Sequence, residues 1–270
     1  MTITQPRRST CRLRTGVDLR YVDQGPPAAE QVVVTVHGWP DSWYSFSRLL
    51  PAITAAGHRA IAIDQRGFGE SDRPAAGYDV DDLAADLAAF LDARDIPQAT
   101  VIGHSMGSFV ARRAAQLHPD RIRRLVLVGT GLTANNTVVR EVAELVRDLP
   151  DPVPEDFTRE FQSGTIHAPV PEPFFDGLVA ESRKAPARVW RAVIDRLLAF
   201  DDTNELADIK APTLVVGGDR DAIFTPAEQR AAAARIPHAR MTLYQDTGHS
   251  PNWERPDRLA ADTLTFIRET

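Results

Sequence analysis

Cysteine and long apolar runs are nearly absent from this sequence. Its 270 residues include a single cysteine, Cys11, so no internal disulfide bond and no cysteine-based metal site can form. The opening residues, MTITQPRRST, contain no apolar run and do not resemble a secretory signal. No stretch approaches the roughly 18 apolar residues that a membrane-spanning helix requires. We therefore expect a soluble, cytoplasmic protein that does not bind a membrane.

An excess of positive charge is also missing. The chain carries 31 Lys and Arg against 37 Asp and Glu, a net charge of −6. Proteins that bind nucleic acid usually present a basic surface, so we expect no nucleic-acid partner. The apolar fraction of 43% and the charged fraction of 25% are those of an ordinary globular protein with a packed core. The oligomeric state does not follow from these numbers.

Short apolar runs alternate with helical patterns in the first and last parts of the chain. Residues 31–36, QVVVTV, form a β-branched run that is typical of a strand buried on both faces. Residues 79–92 instead place apolar side chains at a helical spacing. This alternation predicts an α/β fold, in which a mostly parallel sheet is flanked by helices. The other predicted strands are 59–63, 100–103, 124–128, 213–217 and 240–244, and the other predicted helices are 42–56, 105–117, 226–235 and 256–268.

The middle of the chain interrupts this alternation. Between about 131 and 208 no convincing strand is present, and prolines separate several short helical patterns. We interpret residues 131–208 as a helical cap inserted into one core, which consists of residues 1–130 and 209–270. The helices predicted in the insertion are 138–149, 155–162, 172–184 and 186–200.

The sequence Gly-His-Ser-Met-Gly at 103–107 fits the pattern G-x-S-x-G. It follows a predicted strand and opens a predicted helix, which is the setting of a nucleophile elbow. The glycines are needed because a Cβ atom on either side of the sharp turn would collide with the neighbouring strand and helix. The alternative is a serine that only caps the helix. The strand–turn–helix context favours Ser105 as a nucleophile.

A serine nucleophile needs a histidine base and an acid that orients it, and in this topology the acid and then the histidine follow the serine. Only His238 and His249 follow the second half of the predicted sheet. His238 precedes the last strand, whereas His249 follows it at the carboxyl edge, so His249 is the candidate base. Asp219 and Asp221 both follow the strand at 213–217, and spacing alone does not separate them.

Five motifs occur along the chain in an order that one large superfamily shares. They are HGWPDSW (37–43), DQRGFGESDRP (64–74), GHSMG (103–107), GGDRDAIF (217–224) and TGHSPNWERP (247–256). On these motifs the chain resembles the α/β-hydrolase superfamily over nearly its whole length. In proteins that look like this one the acid is the last aspartate of a G-x-x-D turn, which implies Asp221. The resemblance thus implies a catalytic triad of Ser105, Asp221 and His249.

The resemblance also implies an oxyanion hole, which holds the negative oxygen of an acyl intermediate. One donor would be the backbone N–H of Met106, which follows the nucleophile, and the other the backbone N–H of Trp39. His37 and Gly38 would then shape the loop without taking part in the chemistry. We interpret three charged residues of the second motif as structural, namely Asp64, Arg66 and Asp72.

The motifs at 37–46 and 67–74 look most like those of epoxide hydrolases and haloalkane dehalogenases. Those relatives attack with an aspartate at the elbow, where this chain has Ser105. Epoxide opening there also uses tyrosines of the cap, and none of the four tyrosines lies between 131 and 208. Both departures argue against an epoxide or halide substrate.

A serine nucleophile with an oxyanion hole fits acyl chemistry. We expect hydrolysis of a carboxylic ester or lactone of a small, apolar substrate through an acyl-enzyme intermediate, with no metal and no organic cofactor. The aromatic and aliphatic side chains of the insertion predict an apolar pocket, without assigning any one of them to it.

Other uses of the same triad remain open. They are carbon–carbon bond hydrolysis, perhydrolysis of the cofactor-free haloperoxidase type, and peptide cleavage. Carbon–carbon hydrolases that look like this chain usually have a longer glycine-rich oxyanion loop. A peptidase would need acidic residues for a terminal amine, and Glu155, Asp156 and Glu160 look like a solvated helix face. A receptor that binds a ligand without turnover is the alternative from another class.

Overall fold

The computed structural model describes residues 8–270 and contains one sheet of eight strands in the order β1-β2-β4-β3-β5-β6-β7-β8. Strands β1 and β2 pair antiparallel with each other, β2 pairs antiparallel with β4, and all other neighbours are parallel. The mostly parallel sheet expected from the sequence is therefore confirmed. The strands are β1 (Arg8–Arg12), β2 (Asp18–Gln24), β3 (Val32–Val36), β4 (Arg59–Ile63), β5 (Ala99–His104), β6 (Ile122–Val128), β7 (Thr213–Gly218) and β8 (Ala239–Tyr244).

The central strands are buried on both faces, as their β-branched runs predict. Successive side chains point to opposite faces of a strand, so Val33 and Val34 enter different hydrophobic clusters. The cluster on one face includes Val34 and Phe109, and the cluster on the other face includes Val33 and Phe266. Helices on both faces therefore hold the sheet in place.

Every predicted helix has a counterpart in the structure, and there are two differences from the prediction. The short helix Pro251–Glu254 was not predicted. The segment expected as one helix over 42–56 is divided into a short 3₁₀ turn, Trp43–Phe46, and a separate helix. The Ser42 side chain accepts a hydrogen bond from the Tyr44 backbone and so begins the turn, while Pro51 lies in the first turn of the helix. The α-helices are α1 (Leu50–Ala55), α2 (Val80–Ala93), α3 (Met106–Leu117), α4 (Thr137–Val146), α5 (Glu155–Ser163), α6 (Glu172–Ser182), α7 (Ala187–Ala199), α8 (Pro226–Arg235), α9 (Pro251–Glu254) and α10 (Pro256–Glu269).

Four of these helices, α4 to α7, lie between β6 and β7 in the chain. The segment that contains them makes several hydrogen bonds to the loops at the carboxyl edge of the sheet. The Gln162 side chain of α5 donates a hydrogen bond to Asp41 (2.9 Å), and the carbonyl of Thr165 accepts one from the backbone N–H of His249 (2.9 Å). No helix within residues 8–270 has both the length and the apolar character needed to cross a membrane.

A buried arginine joins both ends of this helical segment to α3. Arg112 is fully buried, and its Nη1 donates to the carbonyl of Gly131 (2.7 Å), just before the segment. Its Nη2 donates to the carbonyl of Leu132 (3.1 Å), and its Nε donates to the carboxylate of Asp202 (2.9 Å), just after α7. The Gln116 side chain of α3 also donates to Asp202 (2.9 Å). One guanidinium therefore fixes where the segment leaves the core and where it returns.

Substituting Arg112 by methionine is expected to lower the free energy of unfolding by about 3–5 kcal/mol, because it leaves the Asp202 carboxylate buried without its counter-charge. Urea unfolding followed by circular dichroism measures the change. The matched control is Arg113→Met on the same helix, whose partner Asp81 is 59% exposed. An exposed pair contributes at most about 1 kcal/mol. Equal losses in the two variants would contradict this role of Arg112.

Candidate active site

Four loops at the carboxyl edge of the sheet meet around one cavity. Ser105 follows β5, Asp221 follows β7, His249 follows β8, and Trp39 follows β3. Ser105, His249 and Trp39 line the cavity, which has about 560 Å³ of empty space including its mouth. The carboxyl ends of parallel strands are where open α/β sheets place their ligand sites.

Ser105 lies on a strained turn between β5 and α3. Its φ is +51°, a value that non-glycine residues rarely adopt, and its backbone N–H donates to the carbonyl of Val128 in the adjacent strand (2.9 Å). A Cβ atom on Gly103 would lie 2.2 Å from the carbonyl oxygen of Gly107, and one on Gly107 would lie 2.1 Å from that of Val36. The two glycines therefore allow the close approach of strand and helix that presents the serine at the sheet edge.

His249 and Asp221 form a buried pair. Nδ1 of His249 lies 2.9 Å from Oδ2 of Asp221, and both side chains are almost fully buried. The carboxylate also accepts hydrogen bonds from the backbone N–H groups of Ile223 (2.8 Å) and Phe224 (2.9 Å) and from the Gln229 side chain (3.0 Å). Because these groups all donate to the carboxylate, Asp221 acts as an acceptor. Nδ1 of His249 is therefore the donor to Asp221 and carries the ring proton.

The other ring nitrogen of His249 faces a different environment. Nε2 is buried and has no hydrogen-bond partner within residues 8–270. With Nδ1 protonated, Nε2 presents a lone pair, and His249 and Ser105 line the same cavity. Nε2 of His249 can therefore accept a proton from a hydroxyl group in this cavity, such as that of Ser105.

The competing aspartate, Asp219, and the histidine rejected from the sequence, His238, lie elsewhere. Asp219 accepts a hydrogen bond from the backbone of Thr247 (3.3 Å) and lies 3.9 Å from Arg220, and it makes no contact with a histidine within the described residues. His238 directly precedes β8, at the end of that strand opposite to His249.

The two residues expected to form an oxyanion hole lie next to the serine. Met106 is the first residue of α3, and the first N–H groups of a helix have no partner inside the helix. The backbone N–H of Trp39 makes no hydrogen bond within residues 8–270. A Cβ atom on the preceding residue, Gly38, would lie 3.1 Å from Cβ of Ser105, so this loop runs directly beside the nucleophile candidate.

His37 holds this loop in shape. Its Nδ1–H donates to the carbonyl of Gly38 (2.7 Å), and its Nε2 accepts from the backbone N–H of Gln65 (3.0 Å). Burial lowers the pKa of His37 to about 4, so the ring is neutral and can serve both hydrogen bonds.

The charged residues of the second motif bond to neighbouring elements and loops and do not line the cavity. Asp64 accepts from the backbones of Trp43 (2.8 Å) and Glu70 (3.0 Å). Arg66 pairs with Asp86 and donates to the carbonyl of Gly77 (2.8 Å). Asp72 accepts from the backbone N–H of Asp18 (2.8 Å).

The cavity wall is largely apolar, as expected, but most of the large apolar side chains of the insertion do not form it. Phe161 and Leu197 line the cavity. Phe174, Phe175 and Leu178 instead pack with Trp253 in a separate cluster. Apart from Trp39, the other apolar lining residues are Val138, Val139, Val142 and Ile194, which lie outside the five motifs, and Ile223, Phe224 and Trp253, which lie inside them.

Two buried acidic residues lie in motifs but were given no role from the sequence. Asp41 is 2% exposed, and burial raises its pKa to about 7 against the opposing effect of the Gln162 hydrogen bond. The buried Glu254 accepts hydrogen bonds from the backbones of Gly248 (2.9 Å) and Ala168 (2.6 Å) and so ties the His249 loop to the helical segment. The signal that could have found them is their position in the motifs at 37–43 and 247–256.

His104, next to the serine in sequence, is also buried against His249. Its Nε2–H donates to the backbone carbonyl of His249 (3.1 Å), and Nδ1 lies 4.0 Å from Oδ2 of Asp41. Burial, with a smaller contribution from His249, holds the pKa of His104 well below its ordinary range. Within residues 8–270 no three His, Cys, Asp or Glu side chains are grouped so that they could hold a metal ion.

Comparisons with known proteins agree with the architecture. The family model described as alpha/beta hydrolase fold matches residues 31–256. A non-heme chloroperoxidase from Streptomyces lividans is 30% identical over 94% of this chain and 97% of its own length. Epoxide hydrolase B from Mycobacterium tuberculosis is 41% identical over 114 residues, which are 41% of this chain and 32% of that protein. A thermophilic esterase from Thermogutta terrifontis superposes with a TM-score of 0.82 at 25% identity, over 97% of this chain and 98% of the esterase. The chain therefore belongs to the alpha/beta hydrolase family.

Proposed function

We propose that the protein is a serine hydrolase that cleaves a carboxylic ester or lactone of a small, largely apolar substrate through an acyl-enzyme. The observation that carries this proposal is the orientation of His249. Asp221 binds its Nδ1, while its Nε2 has no partner within residues 8–270 and belongs to the same cavity as Ser105. A histidine held in this way is prepared to act as a base toward a serine hydroxyl.

In the first half of the reaction, Oγ of Ser105 attacks the carbonyl carbon of the substrate while Nε2 of His249 takes the hydroxyl proton. The carbonyl oxygen becomes negative and accepts hydrogen bonds from the backbone N–H groups of Trp39 and Met106. The tetrahedral intermediate then expels the alcohol, which takes the proton from His249. Asp221 stabilises the imidazolium that forms between these two proton transfers.

In the second half, a water molecule attacks the acyl group on Ser105. Nε2 of His249 takes one proton from this water and returns it to Oγ of Ser105 as the acid leaves. All of these steps use side chains and backbone groups of this chain, and each proton that His249 accepts it also releases.

The helical segment at 131–208 acts in this proposal as a cap that shapes the substrate pocket. Support comes from the cavity wall, because α4, α5 and α7 each contribute side chains to it. Most of these side chains are apolar, which favours a substrate whose larger part is apolar.

Perhydrolysis is a second candidate, favoured by the full-length similarity to a non-heme chloroperoxidase. Hydrogen peroxide would replace water in the second half of the reaction. Its oxygen would attack the acyl group, giving a peroxyacid and regenerating the Ser105 hydroxyl. The same triad and oxyanion donors would serve both nucleophiles.

The proposed bond specificity is tested with one panel of substrates. We expect turnover of the 4-nitrophenyl esters of acetate and butyrate, and no opening of styrene oxide or release of bromide from 1-bromobutane. Monochlorodimedone bromination in the presence of acetate, bromide and hydrogen peroxide measures perhydrolysis separately. Turnover of the epoxide without turnover of any ester would contradict the proposal.

A further inference from the structure

The cavity wall combines apolar side chains with one group of polar residues. The apolar part includes side chains of α4, α7 and the loop after β7, together with Trp39, Phe161 and Trp253. The polar group consists of Asp41, Gln162, Thr165 and Ser250, which hydrogen bonds link to one another. Gln162 donates to Asp41 (2.9 Å), Thr165 donates to the carbonyl of Gln162 (2.8 Å), and Ser250 donates to Thr165 (3.3 Å).

His249 lies close to both parts of the wall. The centroid of its ring is 5.5 Å from that of Phe224 in the apolar part. Its ring centroid is also 5.2 Å from that of His104, whose Nδ1 is 4.0 Å from Oδ2 of Asp41. A substrate whose carbonyl lies at the triad can therefore reach both the apolar side chains and Asp41.

One oxygen of the Asp41 carboxyl group has no hydrogen-bond partner within residues 8–270. Oδ1 accepts the hydrogen bond from Gln162, whereas Oδ2 accepts none from the described residues. Nδ1 of His104 lies 4.0 Å from Oδ2, too far for a hydrogen bond, and the proton of that ring is used at Nε2. Asp41 is 2% exposed and lines the cavity. Oδ2 is therefore available to accept a hydrogen bond from a ligand in the cavity, and a ligand that supplies one gains affinity.

We propose that Oδ2 of Asp41 binds a hydroxyl group of the substrate, so that the site takes an ester or lactone with one apolar half and one hydroxylated half. This inference rests on the proposed ester hydrolysis. A hydroxyl group fits better than an amine or a carbonyl because it can donate to a carboxylate and also accept from a protonated carboxyl group. An ammonium group would fit only the ionised form and a carbonyl only the protonated form, and burial gives Asp41 access to both forms near neutral pH.

The test compares two pairs of esters that differ by one hydroxyl group. In the first pair, 2-hydroxypropyl butyrate and propyl butyrate, the hydroxyl group is on the alcohol half. In the second pair, ethyl 3-hydroxybutyrate and ethyl butyrate, it is on the acyl half. Acid release in a pH-stat gives kcat/KM for each ester. We expect the wild-type protein to prefer the hydroxylated member of at least one pair by about tenfold or more.

Substitutions of Asp41 are expected to reduce this preference in a fixed order. Asp41→Ala removes it, so that the ratio of the two kcat/KM values falls to about one. Asp41→Asn keeps a smaller preference for the hydroxylated ester, because its amide group can still form one neutral hydrogen bond with the hydroxyl group. Asp72→Asn is the matched control, since Asp72 does not line the cavity, and it keeps the wild-type ratio.

The ratio is measured within one variant, so a lower folded fraction does not change it. If Asp41→Ala fails to fold, Asp41→Asn decides the question. The proposal is overturned if the wild type shows no preference in either pair, or if Asp41→Ala or Asp41→Asn keeps the whole preference. Hydrolysis of the two unsubstituted esters without any preference would overturn this inference alone, whereas no hydrolysis of any of the four would contradict the ester hydrolase function as well.

Discussion

Replacement of Ser105 by alanine is expected to lower kcat for 4-nitrophenyl butyrate by about 10⁴- to 10⁶-fold. The hydroxyl group is the nucleophile that forms the acyl-enzyme in the proposed mechanism, and its loss leaves only the contributions of the oxyanion donors and substrate binding. Initial rates of nitrophenolate release measure the effect. The fold should be unchanged, because the strained turn at φ +51° depends on backbone packing and an alanine side chain is smaller than serine.

A serine that lies away from the cavity serves as the control for this substitution. Ser163 is exposed at the end of α5, and its hydroxyl donates only to the carbonyl of Glu160 (2.8 Å). Ser163→Ala is therefore expected to keep the wild-type rate. A Ser105→Ala variant that retains more than about one tenth of the wild-type kcat would contradict the nucleophilic role of Ser105, since removal of a nucleophile costs far more.

Replacement of Asp221 by asparagine is expected to have the second largest effect, a fall in kcat of about 10³- to 10⁴-fold. Asparagine has nearly the same shape, but its amide group can donate to Nδ1 of His249. Nε2 would then carry the ring proton and could not accept one from Ser105. The variant should remain folded, because the backbone donors at Ile223 and Phe224 can still bind the amide oxygen.

The neighbouring aspartate provides the matched comparison for Asp221. Asp219 is two residues away and bonds to the backbone of Thr247 (3.3 Å), so Asp219→Asn is expected to change kcat less than about threefold. The same esters are used for both variants. A larger fall for Asp219→Asn than for Asp221→Asn would contradict the assignment of the acid and would require a rearrangement of this loop in solution.

The fold could be predicted from this sequence because its signals are local. The β-branched runs in the centre of the sheet and the helical spacing at 79–92 each indicate one element without reference to the rest of the chain. The strand at 59–63 and the helix at 226–235 have the bounds that were predicted. The segment at 42–56 was predicted less well, because its division depends on the Ser42 turn and on the position of Pro51.

The residues proposed to react were also named from the sequence, because each stands in a motif at the carboxyl end of a strand. Spacing alone did not separate Asp219 from Asp221, since both follow β7 by a few residues, and Asp221 was chosen on the family resemblance. In the structure it is Asp221 whose carboxylate contacts Nδ1 of His249.

The pocket wall could not be predicted because it is assembled from distant parts of the chain. Val138 and Val142 look like any apolar face of a helix, and whether they line the cavity depends on how α4 packs against α7. Asp41 and Gln162 are 121 positions apart and form a pair only in the folded chain. Such contacts carry no local pattern, so they become visible only with coordinates.

The central claim, that Ser105 is an activated nucleophile, is tested most directly by covalent labelling with a fluorophosphonate, followed by mass spectrometry of the intact protein and of its peptides. We expect the wild type to gain one phosphonyl group per chain, on the peptide that contains Ser105, together with loss of ester turnover. Ser105→Ala should gain none, and Asp221→Asn should react more slowly. Folded wild-type protein that gains no label and turns over no ester, or label at another residue that abolishes ester turnover, would contradict the account.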